Sequence, residues 1–140
     1  MNAPLYTIEV LRLAASLCGP RTLDREDGAA DVRSPTCGSR IRAAVQLDAD
    51  GRVEALSMDV HACAFGQASA ALVEQHGRGL ARPEVAAATL AMSRWLEDET
   101  EDPVPWTGIE ALNAARNRKS RHGAILLPFR ALLAAIESAS

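Results

Sequence analysis

Two of the three cysteines occupy positions where a thiol can do chemistry. Cys37 lies within residues 34–41, where Pro35 and Gly38 predict irregular backbone on either side of the thiol. Cys63 follows the end of a strand pattern and lies at or just before the start of a predicted helix. Free N–H groups and the helix dipole at such a position favour a thiolate over a thiol.

A pair of thiolates can bind zinc, iron or an iron–sulfur cluster, often with an imidazole as a further ligand. Thiols can also carry sulfur covalently. The alternative is that Cys37 and Cys63 are small hydrophobic residues, since free cysteine is often simply buried. The third cysteine, Cys18, follows an amphipathic helix pattern, and we expect it to be a packing residue.

The elements around the two cysteines predict that they meet. Apolar residues alternate with polar ones over residues 41–47 and again over 53–61, which is typical of half-buried strands. Residues 48–52 contain a glycine suited to positive φ and predict the turn between them. If these strands form a hairpin, Cys37 before the first and Cys63 after the second come to the same end of the sheet.

The rest of the chain is predicted to form helices and one further strand. A short strand is predicted at residues 31–33 after a loop, and the basic segment 117–122 is predicted to be a linker. Helical patterns cover residues 6–17, 67–76, 83–96 and 109–116, and Pro128 is expected to open the last helix. We therefore predict an α+β fold, a three-stranded antiparallel sheet packed against several helices, in a single domain spanning residues 1–140.

Composition excludes several classes of protein. The chain has 140 residues, a hydrophobic fraction of 48% and a net charge of −3, which argues against a nucleic-acid surface. No apolar run approaches the roughly 20 residues of a membrane span. An odd number of cysteines without a signal peptide predicts free thiols in the cytoplasm.

Four segments together resemble a known family. Residues 35–41 read PTCGSRI and residues 63–69 read CAFGQAS, with 25 residues between the two cysteines. Residues 122–126 read HGAIL and residues 128–132 read PFRAL. The first three resemble the three cysteine motifs of the U-type iron–sulfur cluster scaffolds, the IscU, SufU and NifU N-terminal domain family. The fourth resembles the P-W-x-A-L segment of the SufU branch.

The sequence departs from the family pattern at two ligand positions. Ser39 stands where the family has an aspartate, and Gly123 stands where the family has its third cysteine. His122 matches a position that is histidine in one branch, where it can serve as an alternative ligand. The resemblance therefore implies an iron–sulfur cluster or zinc held by Cys37 and Cys63, with His122 completing the site.

The resemblance implies a non-enzymatic, cytoplasmic scaffold for iron–sulfur cluster assembly. A cysteine desulfurase and cluster-recipient proteins are the implied partners, with no nucleic acid and no membrane. Two alternatives stand beside this function: a degenerate paralogue that acts as a partner-binding or regulatory module without a cluster, and a thiol-based sulfur carrier. The basic residues at 116–122 would dock an acidic partner or form a solvated loop.

Overall fold

A computed structural model of the protein describes residues 7–35, 38–97 and 105–139. Cys37 and most of the acidic segment 97–106 lie outside the described residues. In chain order the elements are α1 (Ile8–Ser16), β1 (Gly28–Arg33), β2 (Arg40–Leu47), β3 (Val53–His61), α2 (Ala64–His76), α3 (Arg82–Leu96), a 3₁₀ helix (Ile109–Asn117) and α4 (Lys119–Ser138).

The three strands form an antiparallel sheet in the order β1-β2-β3. Arg40 at the start of β2 pairs with Arg33 at the end of β1 and with His61 at the end of β3. The β2–β3 turn is as predicted, because Gly51 has a φ of 77° and the Asp48 carboxylate accepts two backbone N–H groups within the turn. The predicted hairpin therefore forms. The segment with Cys37 enters β2 at its open end, and the segment with Cys63 leaves β3 there.

Strand β1 is longer than the sequence predicts. It begins at Gly28, whereas residues up to 30 were expected to be loop. The Asp27 N–H donates to the Val45 carbonyl at 2.8 Å, and the Asp27 carboxylate accepts the Leu47 N–H at 2.7 Å. These bonds to β2 extend the ladder through a polar segment that lacks an alternating pattern.

The helices α2 and α4 run in the same direction across the sheet. A side chain on Gly28, at the far end of β1, would overlap the Ala135 carbonyl oxygen near the C-terminus of α4. Helix α2 follows directly from the open end of the hairpin, and its own C-terminal Gly77 lies against Leu132 of α4. Both helix N-termini therefore lie at the end of the sheet that carries Arg40 and His61.

Helix α4 corrects two predictions. It begins at Lys119 and continues through Pro128, so most of the predicted basic linker is its first turn and Pro128 does not open it. Proline removes the N–H that would bond the Ala124 carbonyl, which normally disfavours an interior position. Every residue from 124 to 129 is buried in the core, and this packing outweighs the local cost of proline.

Other predicted elements are confirmed with changed limits or type. Helix α2 begins three residues earlier than predicted, and the predicted helix at 109–116 is a 3₁₀ helix entered through Gly108 with a φ of 85°.

Cys18 is exposed, so its assignment as a packing residue is wrong. It lies beyond the end of α1, where its N–H donates to the Glu74 carboxylate at 3.0 Å. Within the described ranges, no helix is long and apolar enough to cross a membrane.

Candidate functional site

The loop between β1 and β2 carries the first cysteine motif. The Ser34 N–H donates to the Ser39 carbonyl at 2.9 Å, and the Gly38 N–H donates to the Ser34 carbonyl at 3.1 Å. Gly38 has a φ of 73°, which a side chain rarely adopts. The predicted irregular backbone is therefore confirmed on both flanks of the loop, while Cys37 itself lies outside the described residues.

Ser39 continues the inward-facing row of β2 beyond the strand. The core-facing residues Ile41, Ala43 and Val45 are at most 1% exposed, and Ser39 is 4% exposed. The inward-facing parity of β2 thus extends to Ser39. The position that carries an aspartate in the resembled motif holds a neutral and buried hydroxyl in this protein.

Cys63 is the N-cap residue of α2. Its backbone is extended, with φ −67° and ψ 173°, and its carbonyl accepts the Gln67 N–H at 2.9 Å. The half-buried thiol does not cap the helix. The Cys63 side chain is therefore at the N-terminus of α2, the position that the sequence predicts for it.

The first turn of α2 lies directly against α4. A Cβ on Gly66 would be 2.6 Å from the Ala62 Cβ and 3.3 Å from the Ala124 carbonyl oxygen. One turn further along, the buried Ser69 hydroxyl donates to the Ile125 carbonyl at 2.7 Å. Because Ala124 follows His122 and Gly123 directly, these contacts bring the second and third motif segments together.

His122 lies half-buried in the first turn of α4. Its Nε2 is 2.9 Å from the carbonyl oxygen of Arg116. A carbonyl can only accept, so Nε2 carries the proton of this hydrogen bond, and Nδ1 of the neutral ring keeps its lone pair. A hydrogen bond of this kind on one ring nitrogen is what orients histidines that bind a metal through the other.

The other histidine near this end of the sheet is a weaker candidate. His61 is exposed and its Nε2 lies 3.2 Å from the Asp59 carboxylate. Across residues 7–35, 38–97 and 105–139, no three His, Cys, Asp or Glu side chains gather closely enough to hold a metal ion. A complete set of three such ligands therefore needs a residue outside those ranges, and Cys37 is the predicted one.

The end of the sheet near Cys63 is rich in positive charge. Arg33 and Arg40 are exposed and directly opposed on neighbouring strands, and neither forms an ion pair with another described residue. Like charges placed in this way are destabilising. Two residues along, Arg42 is neutralised by Glu26 at 3.1 Å and Asp31 at 3.2 Å. Among the described residues, the contrast leaves two arginines without an ion pair at the site end of the sheet.

Two contributors to the site were not identified from the sequence. Gly66 allows α2 to approach α4, and the Arg116 carbonyl orients His122. A glycine directly before a predicted helix was a usable signal for the first. The role of Arg116 had no local signal, because it depends on the backbone between the 3₁₀ helix and α4.

Comparison with known proteins identifies the family. No family model matches the chain. Over 107 residues it is 32% identical to the zinc-dependent sulfurtransferase SufU of Bacillus subtilis (strain 168), a match covering 73% of this chain and 69% of that protein. The chain belongs to the U-type iron–sulfur cluster scaffold family. The family resemblance found in the sequence is therefore confirmed.

Solved structures of the family share the fold. The N-terminal part of a nitrogen-fixing NifU-like protein from Brucella abortus is 29% identical, with a TM-score of 0.85 over 96% of this chain and 94% of that chain. A putative iron–sulfur cluster assembly scaffold for the SUF system from Fervidobacterium islandicum AW-1 has the same fold at 16% identity, with a TM-score of 0.83 over 94% and 96%. The predicted α+β fold is confirmed, whereas the roles of Cys37, Cys63 and His122 as ligands stay predictions.

Proposed function

We propose that this protein is a scaffold-like protein of iron–sulfur cluster assembly that binds zinc, iron or a cluster through Cys37, Cys63 and His122. The observation that carries the proposal is the convergence of the Cys63 and His122 segments through Gly66 and Ala124. One thiolate sulfur and one imidazole nitrogen with an available lone pair are ligands that zinc and iron favour. The zinc dependence in the name of the Bacillus subtilis relative supports zinc in particular.

The residues of this chain have separable roles in such a site. Cys63 supplies one thiolate sulfur to the metal from the N-cap position of α2. Cys37 supplies a second thiolate from the β1–β2 loop, and His122 supplies Nδ1. A bound metal supplies a positive centre that holds thiolate or sulfide sulfur. Ser39 is neutral and a poor ligand, so the site carries less negative charge than an aspartate-containing one.

A non-enzymatic role follows from this proposal, with a cysteine desulfurase as sulfur donor and apoproteins as recipients. The Bacillus subtilis relative is named a sulfurtransferase, which favours a second function for the same thiols. In that function the Cys63 thiolate attacks the outer sulfur of a donor persulfide. The sulfur–sulfur bond of the donor breaks, the donor leaves as a thiolate, and Cys63 becomes a persulfide. The half-buried thiol at a helix N-terminus suits this step.

Metal analysis of the purified chain tests the leading proposal. We expect stoichiometric zinc or iron, or a cluster after anaerobic reconstitution. We also expect Cys37→Ala, Cys63→Ala and His122→Ala each to weaken zinc binding by at least about tenfold in competition with a chromophoric chelator. Cys18→Ala is the matched control, because this exposed thiol lies outside the site. A chain that holds neither metal nor cluster would exclude the scaffold role.

Two further experiments separate the alternatives. Incubation with a cysteine desulfurase and cysteine, followed by mass spectrometry, shows whether Cys37 or Cys63 gains a persulfide in the absence of metal, as a sulfur carrier requires. A desulfurase pull-down that survives the double change Cys37→Ala and Cys63→Ala, in a chain that binds no metal, would favour the partner-binding module.

A further inference from the structure

We propose that Arg116 is a positioning residue that orients the His122 imidazole and thereby selects Nδ1 as its metal-binding atom. The inference rests on the proposed function, in which His122 is a ligand. It concerns a residue outside the cysteine motifs, and it acts through the backbone carbonyl of Arg116 instead of its charge.

The contacts of the Arg116 side chain include three with Trp95 and Asn113. Its guanidinium carbon lies 4.6 Å from the centre of the Trp95 ring, within the range of a cation–π interaction. Its Nε–H donates to the Trp95 carbonyl at 2.8 Å, and Nη1 donates to the Asn113 side chain at 3.3 Å. Trp95 is only 4% exposed at the end of α3, so it is a fixed support for the guanidinium.

These contacts fix a backbone segment that would otherwise be weakly held. Arg116 is the penultimate residue of the 3₁₀ helix, whose hydrogen-bond geometry is poorer than that of an α-helix. The Arg118 N–H donates back to the Ala115 carbonyl at 2.9 Å, which completes the turn towards α4. The Arg116 carbonyl is thereby directed at His122, whose Nε2 donates to it at 2.9 Å.

Arginine is suited to this arrangement in a way that lysine is not. A planar guanidinium stacks on an aromatic ring while its Nε–H donates in the ring's vicinity, whereas an ammonium offers neither the plane nor that donor. Replacing Arg116 by lysine therefore keeps the charge and removes the stacked contact. The pair of variants Arg116→Lys and Arg116→Ala separates positioning from the electrostatic attraction of anionic metal ligands by the arginine charge.

The test measures the His122 ring and zinc binding separately in the full chain. Long-range ¹H–¹⁵N spectra of the metal-free protein report which ring nitrogen carries the proton, and chelator competition reports the zinc affinity. In the parent chain we expect the Nε2–H form. In Arg116→Lys and Arg116→Ala we expect a mixture of tautomers and a zinc affinity lower by about tenfold or more. Arg118→Ala is the matched control, and we expect it to change neither measurement.

Each result has a definite reading. A parent chain with His122 in the Nδ1–H form, or Arg116 variants that keep both the tautomer and the zinc affinity, would overturn the proposal. Zinc affinity unchanged by His122→Ala would instead refute His122 as a ligand, and the spectra would still report on the orientation of its ring. If Arg116→Ala fails to fold, Arg116→Lys carries the test, with circular dichroism confirming the helices.

Discussion

At the scale of single residues, this protein combines a family fold with two departures from the motifs that its sequence resembles. Cys63 occupies the N-cap of α2, and His122 is oriented by a backbone carbonyl. Ser39 and Gly123 stand where the family motifs have an aspartate and a cysteine. The proposed site therefore has a softer and less negative set of donors, centred on two thiols and one imidazole.

Restoring the two family residues should strengthen metal binding. We expect the double change Ser39→Asp and Gly123→Cys to raise the zinc affinity by at least about tenfold, because it adds a carboxylate and a thiolate to the donors. Chelator competition on the parent, the two single variants and the double variant measures the gain. Ser34→Asp is the control, since Ser34 is equally buried in the same loop but lies outside the motif. No gain in the double variant would mean that the surrounding geometry has diverged as well.

At the scale of elements, the site depends on how closely α2 approaches α4. Gly66 permits the contact between the turn that follows Cys63 and the residue that follows Gly123. The Ser69 hydroxyl fixes the register of the two helices through the Ile125 carbonyl. A displacement of α2 along this interface would separate the two motif segments, so the helix pair positions the candidate ligands.

Adding one methyl group at this contact should destabilise the protein and weaken the site. We expect Gly66→Ala to lower the free energy of unfolding by about 1–3 kcal/mol, because its Cβ would be 2.6 Å from that of Ala62. Urea denaturation and zinc competition on the same samples measure both effects. Ala62→Gly removes the nearest atom. Gly66→Ala should therefore cost less stability in the Ala62→Gly background than in the parent chain. A Gly66→Ala protein as stable as the parent would contradict the close packing.

At the scale of the whole molecule, several arginines of the described residues form ion pairs on and around the sheet. Arg42 pairs with Glu26, Arg52 with Glu84 and Arg82 with Glu137. At the site end, Arg33 and Arg40 have no ion pair among the residues that the structure describes. Close to the opposite end, the hydrogen bond from Arg25 and the Leu47 N–H lower the pKa of Asp27 below its ordinary value of 3.8.

This carboxylate makes stability depend on acid pH. A lowered pKa in the folded state means that the stabilisation by Asp27 is present above pH 3.8 and is lost as the pH falls through the folded value. We expect Asp27→Asn to lower the melting temperature near neutral pH and to make its decline between about pH 5 and about pH 2 shallower. Asp24→Asn, an exposed change in the same segment, is the matched control. Parallel profiles for the parent and Asp27→Asn would refute this role.

The local sequence determined the β2–β3 hairpin, the N-cap position of Cys63 and the family. Alternation along a strand and glycine in a turn act through neighbouring residues, so they can be read without knowing the fold. The cysteine motifs likewise identify the family as short segments at a given spacing. For the same reason, the sequence located the candidate ligands but not how they are held.

Tertiary structure decided what depends on residues far apart in the chain. Strand β1 gains its first residues from the hydrogen bonds of Asp27 to β2. Helix α4 continues through Pro128 because the residues from 124 to 129 are all buried. The orientation of His122 depends on Arg116, which is held in turn by Trp95. Burial and long-range hydrogen bonds can outweigh the local preferences of polar segments and proline, and only the folded chain brings their partners together.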